Sequence, residues 1–225
     1  MTASKPATAD TPSSPLAAPP ADALSLRTYM VYFGLAILGC TTDLVSKELI
    51  FRWRGLPRPS NEWWIIEGFF GIETSVNRGA LFGMGAGYSW VFASLSVVAM
   101  LGIFVWLFVF QAARDRWLNV ALGMVTGGIL GNLYDRLGLW DSTGLAPDFQ
   151  HGVRDWILFR YQQYTWPNFN IADMLLVTGA IMLGLHAFFF REPSEEQSPA
   201  DEKRSDQKPS TDDHRMSEKK ATASS

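Results

Sequence analysis

Four apolar stretches, separated by polar connections, set the pattern of this chain. Tyr88 to Phe110 carries no charged residue. At about 1.5 Å rise per helical residue, it outreaches a hydrocarbon layer of roughly 30 Å. Thr28 to Thr42 is equally apolar and runs on through Asp43, Lys47 and Glu48 to Phe51. Trp117 to Tyr134 ends in Asp135 and Arg136, and Asp173 opens an uncharged run from Met174 to Phe190. The pattern predicts transmembrane helices over about 28–50, 88–110, 117–138 and 170–190. Two long connections, about 51–87 and 139–169, lie between them.

If the helices alternate direction, the charged ends of the first, third and fourth fall on one side of the bilayer. Both long connections emerge on that side as well, so a site or gate is expected there. A carboxylate such as Asp173 at the edge of a membrane helix costs several kcal/mol, roughly, to desolvate and calls for a reason. The Lys and Arg balance leaves orientation open: Arg27, Arg114, Arg116 and Arg191 flank one side, Arg52, Arg54 and Arg58 the other.

Composition changes this picture only at the ends. The 225-residue chain is 48% hydrophobic with 9 Trp and 15 Phe, and its net charge is −3. Its mean hydropathy is nevertheless only +0.04, because polar termini dilute the apolar middle. Residues 1–26 and 192–225 lack the large apolar side chains needed to offset the entropy of ordering, and are expected to be disordered tails around a folded domain of 27–191.

Several polar groups stand out within the core. Asp43 and Lys47 are one helical turn apart and can pair on one face, as a brace for the helix end or as part of a site. Asn77-Arg78-Gly79-Ala80-Leu81-Phe82-Gly83 is either a turn before the second span or a functional loop. Gly123, Gly127 and Gly131 form a small-residue stripe that admits a close helix neighbour. Asn132 and Asp135 share a face at the polar end of that helix, and Asn170 and Asp173 share one where the next begins. There Asp173 could be a simple helix cap.

Other chemistries find little support. His151, His186 and His214 form no serine-type triad, and His151 has no histidine partner at metal-ligand spacing. No metal or cofactor is expected. Cys40 follows an apolar run in Leu38-Gly39-Cys40, but the helix continues past it and three further spans follow, so it reads as an inert buried thiol. A proton-coupled carrier relaying charge through Asp43, Asp135 and Asp173 is the competing class. It predicts internal repeats and mid-membrane carboxylates, and neither is visible.

Taken together, Asp43…Lys47, the 77–83 motif, Gly127 to Arg136, Val153-Arg154-Asp155-Trp156-Ile157 and Phe169-Asn170-Ile171-Ala172-Asp173 resemble lipoprotein signal peptidase, signal peptidase II. The resemblance covers essentially the whole core, in order. It implies an all-α polytopic protein of the bacterial cytoplasmic membrane, with four transmembrane helices, both termini cytoplasmic and a small extracytoplasmic β-rich cradle. The implied activity is that of an aspartyl endopeptidase cutting diacylglyceryl-modified prolipoproteins before the lipidated cysteine. The implied partners are these substrates and membrane lipid, not nucleic acid. The resemblance further implies a monomer inhibited by globomycin-type cyclic peptides.

By position, the catalytic pair falls on Asp155 and Asp173. Asn77, Gly79, Asn132, Arg136 and Asn170 line the site or hold substrate, Asp43 and Lys47 support it, and Asp135 is structural. The chain departs from the family in the longer interval Leu137 to Gly152, which makes Asp148 a rival to Asp155. The fit of Val-Arg-Asp-Trp-Ile and the spacing to Asp173 favour Asp155. The insert, about Asp141 to Gly152, is expected to act as a lid.

Overall fold

The computed structural model describes residues 24–79, 85 and 87–189. The expectations for the tails, and Ala80 to Gly83 of the loop motif, lie outside the described residues, apart from the start of the first helix at Leu26. Residues Met1–His186 belong to one unit and Ala187–Ser225 to a second, of which only the last turn of the final helix is described.

Four long helices and one small sheet make up the described chain. Helix α1 spans Leu26–Arg54, opened by Ser25, whose hydroxyl accepts from the Thr28 N–H, and closed by Gly55 at φ 79°. Glycine suits that left-handed stop because it has no Cβ to clash. Strands β1 (Trp63–Ile66) and β2 (Phe70–Asn77) follow. Helix α2 (Ser89–Phe104) continues into a π-helical turn, Val105–Val109. Helix α3 spans Arg116–Arg136, capped by the Asp115 carboxylate on the N–H groups of Trp117 and Leu118. Strands β3 (Val153–Tyr161) and β4 (Tyr164–Phe169) then lead into α4 (Ile171–Phe189).

The four strands form one antiparallel sheet in the order β1-β2-β3-β4, with hairpins from the two long connections meeting at β2 and β3. The small β-rich cradle that the resemblance implies is therefore present, and the all-α label is too narrow for a chain that carries it. Hydropathy alone left the two connections as polar intervals, because strands of four to nine residues carry too little apolar periodicity to stand out beside membrane helices.

Three helical segments, Leu26–Arg54, Ser89–Val109 and Ile171–Phe189, are long and apolar enough to cross a membrane. Three of the four expected spans thus stand on length and apolar character, and α3 is the fourth long helix. Helix α3 buries Asn119, Thr126, Asn132 and four glycines instead, since a helix enclosed by other helices meets protein rather than lipid along much of its surface.

The glycine stripe is where that enclosure happens. A Cβ on Gly123 would stand 3.1 Å from the Tyr32 carbonyl, and one on Gly127 3.0 Å from that of Ala36, so both let α1 lie against α3. Gly128 faces α4, where a Cβ would meet the Ala172 carbonyl at 2.6 Å. A buried hydrogen bond of 2.8 Å between Tyr32 and Thr126 ties α1 to α3 further along. Tyr32, Leu107, Ala113 and Leu122 form an apolar core at the end of the bundle away from the sheet. Cys40, on α1, is half-buried rather than enclosed.

Candidate active site

The charged helix ends do converge. Lys47 reaches across from α1 with its Nζ 2.6 Å from Asp43 Oδ2, 3.1 Å from Asp135 Oδ2 and 3.0 Å from Asn132 Oδ1. Lys47, Asp43 and Asp135 are all fully buried. On the far side of Asp135, Arg154 donates from Nη2 at 2.8 Å and from Nε at 3.0 Å to Oδ1, while its backbone N–H binds Oδ2 at 3.0 Å. Its Nη1 reaches Glu48 at 3.2 Å. Two cations and two buried carboxylates thus neutralise one another, which a water-poor interior requires.

This framework fixes the start of α4. Asp43 Oδ1 accepts the Ala172 N–H at 2.8 Å. Asn170 and Asp173 form a reciprocal capping box, with the Asp173 N–H on Asn170 Oδ1 at 2.9 Å and the Asn170 N–H on Asp173 Oδ2 at 3.2 Å. The capping role expected for Asp173 is therefore real. It uses one carboxylate oxygen; the other accepts from Asn132 Nδ2 at 2.8 Å.

Strand register delivers the second carboxylate to the same place. Ile157 of β3 pairs with Phe169 at the end of β4, so Asp155, two residues earlier, comes to the first turn of α4. Asn170 Nδ2 then donates to Asp155 Oδ1 at 2.6 Å and also lies 3.1 Å from Asn132 Oδ1. The side chains of Asn170 and Asn132 therefore link Asp155 and Asp173. Asp155 is 2% exposed, whereas Asp173 is half-buried. Burial first, and then the neighbouring Asp173 carboxylate, push the Asp155 carboxyl well above the ordinary range.

Of the remaining expected residues, Arg136 projects its charge toward Asp173 and Asp155 and makes a long 3.5 Å contact from Nη2 to the Gly79 carbonyl. The Gly79 N–H in turn donates to Asn77 Oδ1 at 3.0 Å. Asn77 and Asp155 both line a cavity of about 820 Å³ that also includes Arg58, Glu73, Arg78 and Phe149. Asp148 lies apart from this network: it is 78% exposed and pairs with Arg78 at 3.6 Å.

Just before the insert, Trp140 is buried, 5.0 Å from the Arg154 guanidinium and edge-on to Phe51. His186, in the last turn of α4, is at the opposite end of the bundle, 2.7 Å from Asp115.

Sequence reasoning passed over Arg154 and Glu48. The available signal was Arg154 beside Asp155 in a stretch, Val153 to Leu158, whose other residues are apolar, so that a buried arginine there must find a carboxylate.

Comparison with known sequences decides the family. The profile for signal peptidase (SPase) II matches residues 35–189. The chain belongs to the signal peptidase II family. Over 167 residues it is 60% identical to the lipoprotein signal peptidase of Rhodopirellula baltica, covering 74% of this chain and 75% of that one. It is 36% identical to the lipoprotein signal peptidase of Symbiobacterium thermophilum over 157 residues, 70% of this chain and 93% of that one. A bacterial membrane enzyme solved in meso at 2.3 Å resolution shares the fold, with a TM-score of 0.58 and 24% identity over 73% of this chain and 93% of its own. As a signal peptidase II family member the protein is a membrane-embedded peptidase, and the carrier reading is set aside.

Proposed function

We propose that the chain is an aspartic endopeptidase of the bacterial cytoplasmic membrane. It removes signal peptides from diacylglyceryl-modified prolipoproteins by cutting before the lipidated cysteine. The observation that carries this reading is the pair Asp155 and Asp173, joined through Asn170 and Asn132 at the membrane edge of the bundle. Peptide hydrolysis by two carboxylates needs one to take a proton from water while the other, protonated, polarises the scissile carbonyl. The burial of Asp155 supports it as the carboxyl that holds the shared proton, with half-buried Asp173 positioned to meet water.

Arg136 and Asn77 hold the substrate backbone beside the pair, and Lys47 acts through Asn132 as a positioning residue. A substrate anchored by acyl chains presents its scissile bond at a fixed depth, which lowers the orientation cost. In this arrangement α3 is the fourth crossing, the sheet and active site face the extracytoplasmic side, both termini are cytoplasmic, and the enzyme works as a monomer open to globomycin-type inhibitors.

The test uses purified protein and a diacylglyceryl-modified prolipoprotein. Wild type should cut it and spare the unmodified precursor, while Asp155→Asn and Asp173→Asn each abolish cleavage and remain folded. Activity that survives Asp155→Asn but is lost in Asp148→Asn would move the pair.

A further inference from the structure

The cavity that holds Asp155 also carries charges that the hydrolytic reaction does not use. Arg78 and Phe149 lie together on its wall, with the Arg78 guanidinium 4.5 Å from the centre of the Phe149 ring. Phe149 belongs to the insert, so this wall is built by the segment in which the chain departs from its family's spacing. Glu73, an acidic group of the lining besides Asp155, accepts from Asn168 Nδ2 at 3.0 Å. Arg58, just beyond the end of α1, also lines the cavity, is exposed, and forms no ion pair among the described residues. Arg78 is paired with Asp148 and Asp155 is bound by Asn170, so the exposed Arg58 is the lining charge left to meet a ligand.

We infer that Arg58, assisted by Arg78, selects substrates with an acidic side chain among the first few residues after the lipidated cysteine. This rests on the peptidase reading above and deepens it. The downstream side is indicated because the segment before the cysteine lies in the bilayer, where a carboxylate is costly, whereas the segment after it must leave across the sheet. The roughly 820 Å³ cavity beside Asp155 gives that segment room in an extended conformation. Partly exposed ion pairs of this kind discriminate weakly, so a preference of about three- to tenfold is expected, screened by salt.

The experiment compares two diacylglyceryl-modified prolipoproteins, identical except for Asp or Lys at the third position after the modified cysteine. The purified full chain is assayed near neutral pH at low and high salt. Wild type should show a kcat/KM for the Asp substrate that is higher by the stated factor, with the gap closing at high salt. Arg58→Glu should reverse the preference and Arg58→Gln should bring the ratio close to one, a second variant that serves if the reversal impairs folding. Equal kcat/KM for the two substrates in wild type, or a ratio unmoved by both variants, overturns the inference and leaves the peptidase reading intact. Failure of folded wild type to cut either substrate overturns both.

Discussion

Replacing Lys47 with methionine removes the cation that, alone among the described residues, touches both Asp43 and Asp135. The Nζ group contacts three acceptors between 2.6 and 3.1 Å with no solvent exposure. After the change Asp135 keeps Arg154, while Asp43 is left with the Ala172 N–H and no counter-ion. Removing one partner from a buried pair costs about 3–5 kcal/mol, because the remaining charge has neither water nor an opposite charge beside it. At about 2–4 °C per kcal/mol for a protein of this size, the thermal midpoint in detergent should fall by roughly 6–20 °C.

Neutralising the orphaned carboxylate should reverse most of that loss. In the double variant Lys47→Met/Asp43→Asn, the amide oxygen introduced on α1 can still accept the Ala172 N–H, so stability should return to within about 1.5 kcal/mol of wild type. Unfolding followed by near-ultraviolet circular dichroism measures both. A single variant that melts within about two degrees of wild type, or a double variant no better than the single, would refute the account of this cluster as an interdependent set of charges.

Further expectations follow from the same geometry. Asp155→Asn should abolish cleavage yet raise stability at neutral pH. The folded carboxyl titrates above its unfolded value, so its contribution is complete at acid pH and lost as pH rises through the folded value; the variant's advantage should vanish on acidification, and a constant advantage across pH would contradict the assignment. Asn170→Ala removes the donor to Asp155 and one member of the capping box, and should lower kcat by about 10²-fold or more with a smaller effect on KM, read from initial rates. Gly128→Ala should destabilise by about 1–3 kcal/mol through its clash with the Ala172 carbonyl, while Gly34→Ala, with open space around it, should be neutral or stabilising by about 0.5–1 kcal/mol; melting curves compare them directly.

The legible part of this structure was the part governed by length and period. Charges confined to one end of three apolar runs placed Asp43, Lys47, Asn132, Asp135 and Asp173 on a common side, and the four-residue glycine interval marked the face where α3 meets α1. The hairpins were expected only through the family resemblance and were not legible from periodicity, because Glu73, Thr74 and Ser75 in β2 and the Pro167 of β4 break any simple alternation. The burial of Arg154 was not legible either, since its partner Asp135 lies 19 residues away on a different element. Helix α3 was legible as a long helix despite its polar content, since a helix sheltered by neighbours can carry glycine and amide side chains that a lipid-facing one would avoid.

The bond from Asp43 to the Ala172 N–H also imposes an order on biogenesis. The first helix to leave the ribosome carries the group that locks the first turn of the last one, and that turn bears Asp173 and adjoins Asp155. Under the proposed dyad, a nascent chain ending before α4 would lack both the lock and Asp173, so hydrolytic power would arrive only when the final helix docks.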